Sequence, residues 1–186
     1  MKVFIVLGSR NPEGQTARAA DALAAGIEAA GGEVSRVFLP LMDVQRCRQC
    51  DERGWGKCRE QGYCVIEDDF ATLVDQIRQA DAAVFVTPVY WGDLSESMRA
   101  FTDRLRRITR HENGKVDIEG KPAIGICVAG GGGGGAPNCC VSLERTLSTT
   151  GFNLVDMVPV RRQNLVHKTG VLEATGRWLN AGAPEA

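Results

Sequence analysis

The sequence predicts an α/β fold with a parallel sheet covered by helices on both faces. Three observations carry that prediction. Short β-branched or aromatic runs alternate with segments of helical periodicity, the first run is apolar enough to be buried on both faces, and no internal repeat interrupts the alternation. Lys2 to Gly8 is too short for a helix and reads as the first strand. Ala20, Leu23, Ile27 and Ala30 then recur at helical spacing until Gly31 and Gly32 stop the pattern.

Val34, Val37 and Leu39, closed by Pro40, make the second strand. Periodicity is lost from Met42 to Gly62, an excursion rich in Arg, Gln, Gly and Cys. It returns in a helix with Phe70, Leu73, Val74 and Ile77 on one face, capped by Asp68 or Asp69. Ala82 to Thr87, ended by Pro88, is the third strand, and Ser95 caps a helix that buries Met98, Phe101, Leu105 and Ile108. Pro122 to Ala129 is the fourth strand, and six glycines, 130 to 135, lead into a helix around Cys140, Leu143 and Leu147. Phe152 to Val160 is the fifth, followed by an amphipathic helix bearing Val171, Leu172, Thr175, Trp178 and Leu179. Right-handed crossovers place such helices on both faces. Five units fit the flavodoxin-like order 2-1-3-4-5, a three-layer α/β/α sandwich, better than a six-stranded dinucleotide fold.

Composition narrows the function. The 186 residues suit one domain, 1–186, with a Cys-rich excursion at 42–64. Twenty-two basic against 23 acidic residues give a net charge of −1, which argues against a nucleic-acid partner. No apolar run approaches the ~20 residues of a membrane span, and the short N-terminal run lacks a signal-peptide pattern, so a cytoplasmic location and no membrane partner are expected.

In the 2-1-3-4-5 order, ligands bind at the carboxyl ends of the strands where the chain reverses between strands one and three. Three loops meet there. The first offers Ser9, Arg10, Asn11, Gly14, Gln15 and Thr16 at a helix start, donors suited to a terminal phosphate. It has neither the Lys of a nucleoside-triphosphate loop nor the Gly-x-Gly-x-x-Gly spacing, so a single phosphate is favoured. The alternative is that Ser9 and Thr16 only cap the helix. The second loop, Pro88, Val89, Tyr90, Trp91 and Gly92, sets two aromatic rings beside that pocket, suited to a flat heteroaromatic ligand unless the rings are partly core. The third begins Gly130, Gly131 and Gly132; it is either flexible or offers bare backbone N–H groups to a polar ring edge. Together they sketch the shape of FMN.

These motifs resemble the flavodoxin-like NAD(P)H-dependent FMN reductases, and within them the iron-sulfur flavoproteins. The likeness rests on Gly8-Ser9-Arg10 with Gly14-Gln15-Thr16, on Cys64 through Phe70, and on Thr87 through Gly92 with Phe101-Thr102-Asp103-Arg104. The resemblance implies FMN bound without a covalent link, hydride taken from NAD(P)H, and a small-molecule electron acceptor such as quinone or flavin. It also implies a homodimer or homotetramer whose neighbouring subunit helps close the flavin site. No protein acid or base is required, because the flavin carries the chemistry.

Seven cysteines include Cys47, Cys50, Cys58 and Cys64, spaced C-x2-C-x7-C-x5-C. Four thiolates this close suit zinc or a 4Fe-4S cluster, and spacing alone does not choose between those and a metal-free segment. The iron-sulfur flavoproteins place their third cysteine where this chain has Arg53, so Cys58 is the candidate third ligand. Three readings stay open: an FMN oxidoreductase, an iron-sulfur flavoprotein carrying electrons to protein partners, and a flavin-free module with structural zinc.

Other residues have blander expectations. Glu67, Asp68 and Asp69 read as helix caps, Cys127 as a buried hydrophobe, and Cys139 and Cys140 as packing with reactivity the alternative. His111 and His167 lack hydrolase partners. Arg99, Arg104, Arg106, Arg107 and Arg110 read as a solvated helix face, with attraction of a phosphorylated nicotinamide the minority alternative.

Overall fold

The computed structural model describes residues 1–182; the end of the 1–186 unit lies outside them. Five strands, β1 (Lys2–Leu7), β2 (Glu33–Phe38), β3 (Ala82–Pro88), β4 (Pro122–Ala129) and β5 (Asn153–Arg161), form one parallel sheet in the order β2-β1-β3-β4-β5. Every residue from Val3 to Leu7 is buried, as expected of a strand covered on both faces. Prolines sit at strand ends or on the edge: Pro88 closes β3, Pro122 opens β4, and Pro159 lies in edge strand β5.

The helices are α1 (Gln15–Ala29), α2 (Lys57–Glu60), α3 (Phe70–Gln79), α4 (Glu96–Ile108), α5 (Glu112–Lys115), α6 (Ala136–Thr150) and α7 (Leu165–Asn180). Alternate residues of each strand feed two separate cores. Val3, Ile5 and Leu7 pack with Leu23 and Ile27 of α1 and Leu172 and Leu179 of α7. Phe4 and Val6 pack on the other face with α3, α4 and α6, through Leu73, Met98, Phe101 and Leu143. This is the expected three-layer sandwich. Among the described residues no helix is long and apolar enough to cross a membrane.

Two details depart from expectation. Val171 and Trp178 are partly exposed, whereas Leu165, Leu172, Gly176 and Leu179 form the buried stripe of α7. The stripe is set by glycines: a Cβ on Gly26 would lie 1.9 Å from the Glu173 carbonyl oxygen, and one on Gly176 would lie 2.2 Å from that of Leu23. Backbone-to-backbone approach of α1 and α7 fixes the rotation of α7, and bulky side chains beside the seam turn outward. The arginines of α4 do not form a solvated face either, because Arg104 is buried.

At the carboxyl edge, Gly8 ends β1 and donates to the Val86 carbonyl at 2.8 Å. A Cβ there would meet Ser95 Oγ at 2.5 Å, and Ser97 Oγ donates to the Gly8 carbonyl at 3.3 Å. Ser95 itself caps α4, its Oγ accepting from the Met98 N–H at 3.4 Å. The start of α4 thus holds the first and second loops together.

Candidate functional site

The first loop reaches α1 through Gly14, whose backbone is extended and which provides no side-chain cap. Neither Ser9 nor Thr16 caps the helix. The first-turn N–H groups of α1 therefore face a potential ligand with the positive end of the helix dipole. Within the loop, Asn11 Oδ1 accepts from the Glu13 N–H at 3.0 Å and the Asn11 carbonyl from the Gly14 N–H at 3.2 Å, so the turn is self-supporting.

The second loop is a tight turn in which Tyr90 and Asp93 exchange backbone hydrogen bonds, at 2.9 and 3.0 Å. Trp91, at its tip, has φ 54° and is fully solvent-exposed, while Tyr90 is 47% exposed. A tryptophan in the left-handed region, its ring in water, is not core; such strain collects at binding sites. Asp93 anchors the turn to α4 and α6. Burial opposes its ionisation, but the Leu94 N–H, Ser142 and Arg99, whose Nη2 donates at 2.5 Å, leave its carboxyl below the usual range.

The third loop is ordered by two contacts the sequence does not announce. Gln163 Nε2, from the turn after β5, donates to the Gly132 carbonyl at 3.0 Å. Gly135, with φ 81°, lies so close to the second loop that a Cβ would approach Gly92 Cα to 2.7 Å. A Cβ on Gly130, Gly131, Gly132 or Gly134, by contrast, would meet no atom within 4 Å.

The three loops border an open cleft of about 690 Å³, lined by Gln15, Thr16, Pro88, Val89, Tyr90, Trp91 and the glycines 130–134 over Val128 and Ala129. The expected residues Gln15, Thr16, Pro88 through Trp91, and Gly130 to Gly132 thus converge. Ser9, Arg10, Asn11, Gly14 and Gly92 belong to the same loops without lining the cleft, and Gly133, Gly134, Val128, Ala129 and the clamp Gln163 were missed. Only the position of the glycine run signalled those neighbours. Gln15 Oε1 is buried with no hydrogen-bond partner among the described residues. The Gln15 amide oxygen needs a donor such as a ligand hydroxyl, while the uncapped helix start and the backbone facing open space fit a ligand with a phosphate at one end and a flat polar-edged ring at the other.

A second, narrow cavity of about 20 Å³ lies at the excursion. Cys47, Cys50, Cys58 and Cys64 all line it, with Trp55, Lys57, Arg104 and Arg107. Gly54 and Gly56, with φ 74° and 154°, turn the chain so that α2 carries Cys58 back to the cavity that the other three cysteines line. Among the described residues no three His, Cys, Asp or Glu side chains are drawn together closely enough to hold one metal ion. The donor set nevertheless suits a thiolate-ligated centre. Burial pushes the Cys58 thiol up, with Arg107 opposing it.

Arg104 joins the excursion to α4. Its guanidinium forks onto Asp68 at 2.6 and 2.9 Å and donates to the Gln45 carbonyl at 3.0 Å, with both side chains sealed from water. Asp68 also accepts from the N–H groups of Gln45 and Phe70, so it does more than cap α3. Burial raises its carboxyl, but the Arg104 fork and the two N–H groups outweigh that and leave it lowered. Asp69 instead receives the Asp43 N–H at 2.8 Å. Cys127, Cys139 and Cys140 form a buried group, in which the Cys127 S–H donates to the two helix cysteines; holding that proton pushes the Cys127 thiol up and the Cys140 thiol down.

Residues 1–171 match the family model described as NADPH-dependent FMN reductase. An iron-sulfur flavoprotein of Archaeoglobus fulgidus is 30% identical over 105 residues, 56% of this chain and 46% of its own. One from Methanocaldococcus jannaschii is 28% identical over 131 residues, 70% of this chain and 65% of its own. The chain thus spans roughly half to two thirds of the length of these relatives. Among solved structures, the NAD(P)H:quinone oxidoreductase of Methanothermobacter marburgensis superposes with a TM-score of 0.71 at 21% identity, covering 96% of each chain, a likeness of fold.

Proposed function

The chain belongs to the NADPH-dependent FMN reductase family, and from that premise we propose that it is an FMN-dependent NAD(P)H oxidoreductase serving a small acceptor such as a quinone or free flavin. The observation that carries this reading is the convergence of all three loops on one cleft with an uncapped helix start and an orphaned amide. Gln15, Thr16 and the first turn of α1 would hold the phosphate, the bare backbone of 130–134 the polar ring edge, and Tyr90 and Trp91 the ring face. Bound there, FMN would accept hydride from the nicotinamide and return electrons to the acceptor. The protein's part is positioning and exclusion: no side chain in the cleft is needed as acid or base. A homodimer or homotetramer is part of this reading, supported by the exposed Trp91, which a neighbouring subunit would cover.

A second reading rests on a separate observation, that all four excursion cysteines line one cavity. In it Cys47, Cys50, Cys58 and Cys64 hold a 4Fe-4S cluster that passes single electrons to a partner, with Cys58 in place of the family's third cysteine. The experiment is anaerobic purification followed by an absorption spectrum and analysis of flavin, iron, sulfide and zinc per chain, with NAD(P)H oxidation assayed against a quinone. Flavin bands with quinone-dependent turnover support the first reading, and a colourless chain that takes up no FMN defeats it. Broad extra absorption that bleaches on reduction and is lost in Cys58→Ser supports the second; zinc without flavin selects a structural module instead.

A further inference from the structure

The thiol-lined cavity holds more cationic hydrogen-bonding capacity than the protein uses. Arg104 has 1% side-chain exposure and its guanidinium is hydrogen-bonded to the Cys64 sulfur as well as to Asp68, while its Nε, buried at the cavity, has no nitrogen or oxygen acceptor among the described residues. The Nε of Arg107, one turn later on α4, is likewise buried without an acceptor. The two cations differ in compensation. Arg104 is neutralised by the Asp68 fork, and Lys57 by Glu60 at 3.1 Å. Arg107 has no carboxylate partner among the described residues; its guanidinium lies 4.3 Å from the Trp55 ring centroid, with Arg59 5.3 Å from the same ring. The backbone of Trp55 is itself tied down, its main-chain N–H donating to Asp51 Oδ1 at 2.7 Å.

Arg107 is partly buried, and its Nε, shut off from water without an acceptor beside the cysteine-lined cavity, is costly to leave unpaired. Such a cation is favourable where the cavity gains negative charge. A metal centre held by four thiolates is anionic and becomes more so on reduction, so a nearby cation and hydrogen bonds to sulfur favour its reduced form.

We propose that Arg107 is a positioning and charge-compensating residue that raises the reduction potential of the centre at Cys47, Cys50, Cys58 and Cys64, while Arg104, fixed by Asp68, orients Cys64 within it. The inference rests on the second reading above, that these thiols hold an iron-sulfur cluster. A cluster held by these thiolates would take electrons singly, two such transfers in succession accounting for the two that NAD(P)H gives the flavin; each would lower the cluster's charge by one unit with no covalent bond formed or broken at the cluster. Arg107 offsets that added charge without moving.

The test uses the chain carrying FMN, with the cluster reconstituted anaerobically from ferrous iron and sulfide. Iron and sulfide per chain are measured, and cluster and flavin midpoint potentials are read separately by paramagnetic resonance and absorbance. Arg107→Gln is expected to keep its iron and sulfide and to shift the cluster midpoint to more negative potential with the flavin midpoint unmoved. Arg107→Lys, which keeps the charge, is expected to recover most of the shift. Arg104→Lys, which keeps charge but loses the planar fork, is expected to surrender iron to a chelator several-fold faster. An unmoved cluster midpoint in Arg107→Gln overturns the proposal, as does an equal shift in Arg107→Lys, which would make the effect one of packing. A parent chain that takes up flavin but neither iron nor sulfide overturns the cluster reading, and the proposal with it.

Discussion

The Asp68 carboxylate takes both arms of the Arg104 guanidinium while accepting two backbone N–H groups, in a place water does not reach. Removing one partner of such a pair leaves a buried charge without compensation, at a cost of about 3–5 kcal/mol. Arg104→Met should therefore lower the urea midpoint sharply, and the doubly apolar Asp68→Leu/Arg104→Met far less than the sum of the single changes; additive losses would show that the pair is not coupled. The same carboxyl sets an acid limit. Because its folded value is depressed, its contribution to stability is present above the free-carboxyl value of about 3.9 and is lost as pH falls through the lower folded value. Asp68→Asn should flatten stability against pH in that acid window while leaving the slope near neutrality unchanged. These residues stand in motifs visible in the sequence, but their pairing is not. They lie 36 positions apart, and an arginine among four on one helix reads as solvated until the excursion is folded over it.

At the scale of elements, the third loop separates two uses of glycine. Gly133 needs its φ of 77°, and a Cβ there would come 2.1 Å from Gln163 Oε1, so Gly133→Ala should disturb the loop whether or not ligand is present. Gly130 and Gly132 carry no such demand, and a Cβ at either meets nothing in the protein. Gly130→Ala and Gly132→Ala should leave the melting temperature of the flavin-free chain unchanged and weaken FMN binding roughly tenfold, about 1.4 kcal/mol, measured by fluorescence quenching of the flavin. Unchanged affinity in both would mean that the ligand does not lie on this backbone. The α1–α7 seam gives a contrasting case. Gly26→Ala drives a methyl into the Glu173 carbonyl and should cost about 1–3 kcal/mol in chemical unfolding, without a selective effect on FMN. Helical periodicity located α7 but not the face it buries, because the seam is made by absent side chains and hydrophobic spacing registers only those present.

For the whole molecule, the cleft joins segments from β1, β3 and β4 that only the folded sheet makes neighbours, so its ligand should stabilise the fold as a unit. FMN at 100 times its dissociation constant should contribute about 2.7 kcal/mol, raising the melting temperature by roughly 5–10 °C. Riboflavin at the same concentration, lacking the phosphate, should raise it much less; equal shifts would remove the role given to the α1 start. The chain alone determined the layer architecture and the strand order, because strand and helix periods are local and right-handed crossovers leave few topologies. It also determined which loops meet at the cleft, since position at strand ends follows from that order. Tertiary structure alone decided that Gln163 clamps the glycine run, that Trp91 stands strained in solvent, that Cys58 returns to the cavity lined by the other three cysteines, and that Arg104 is buried. Each depends on where a turn of the backbone carries a side chain through space, and neither residue type nor spacing fixes that direction.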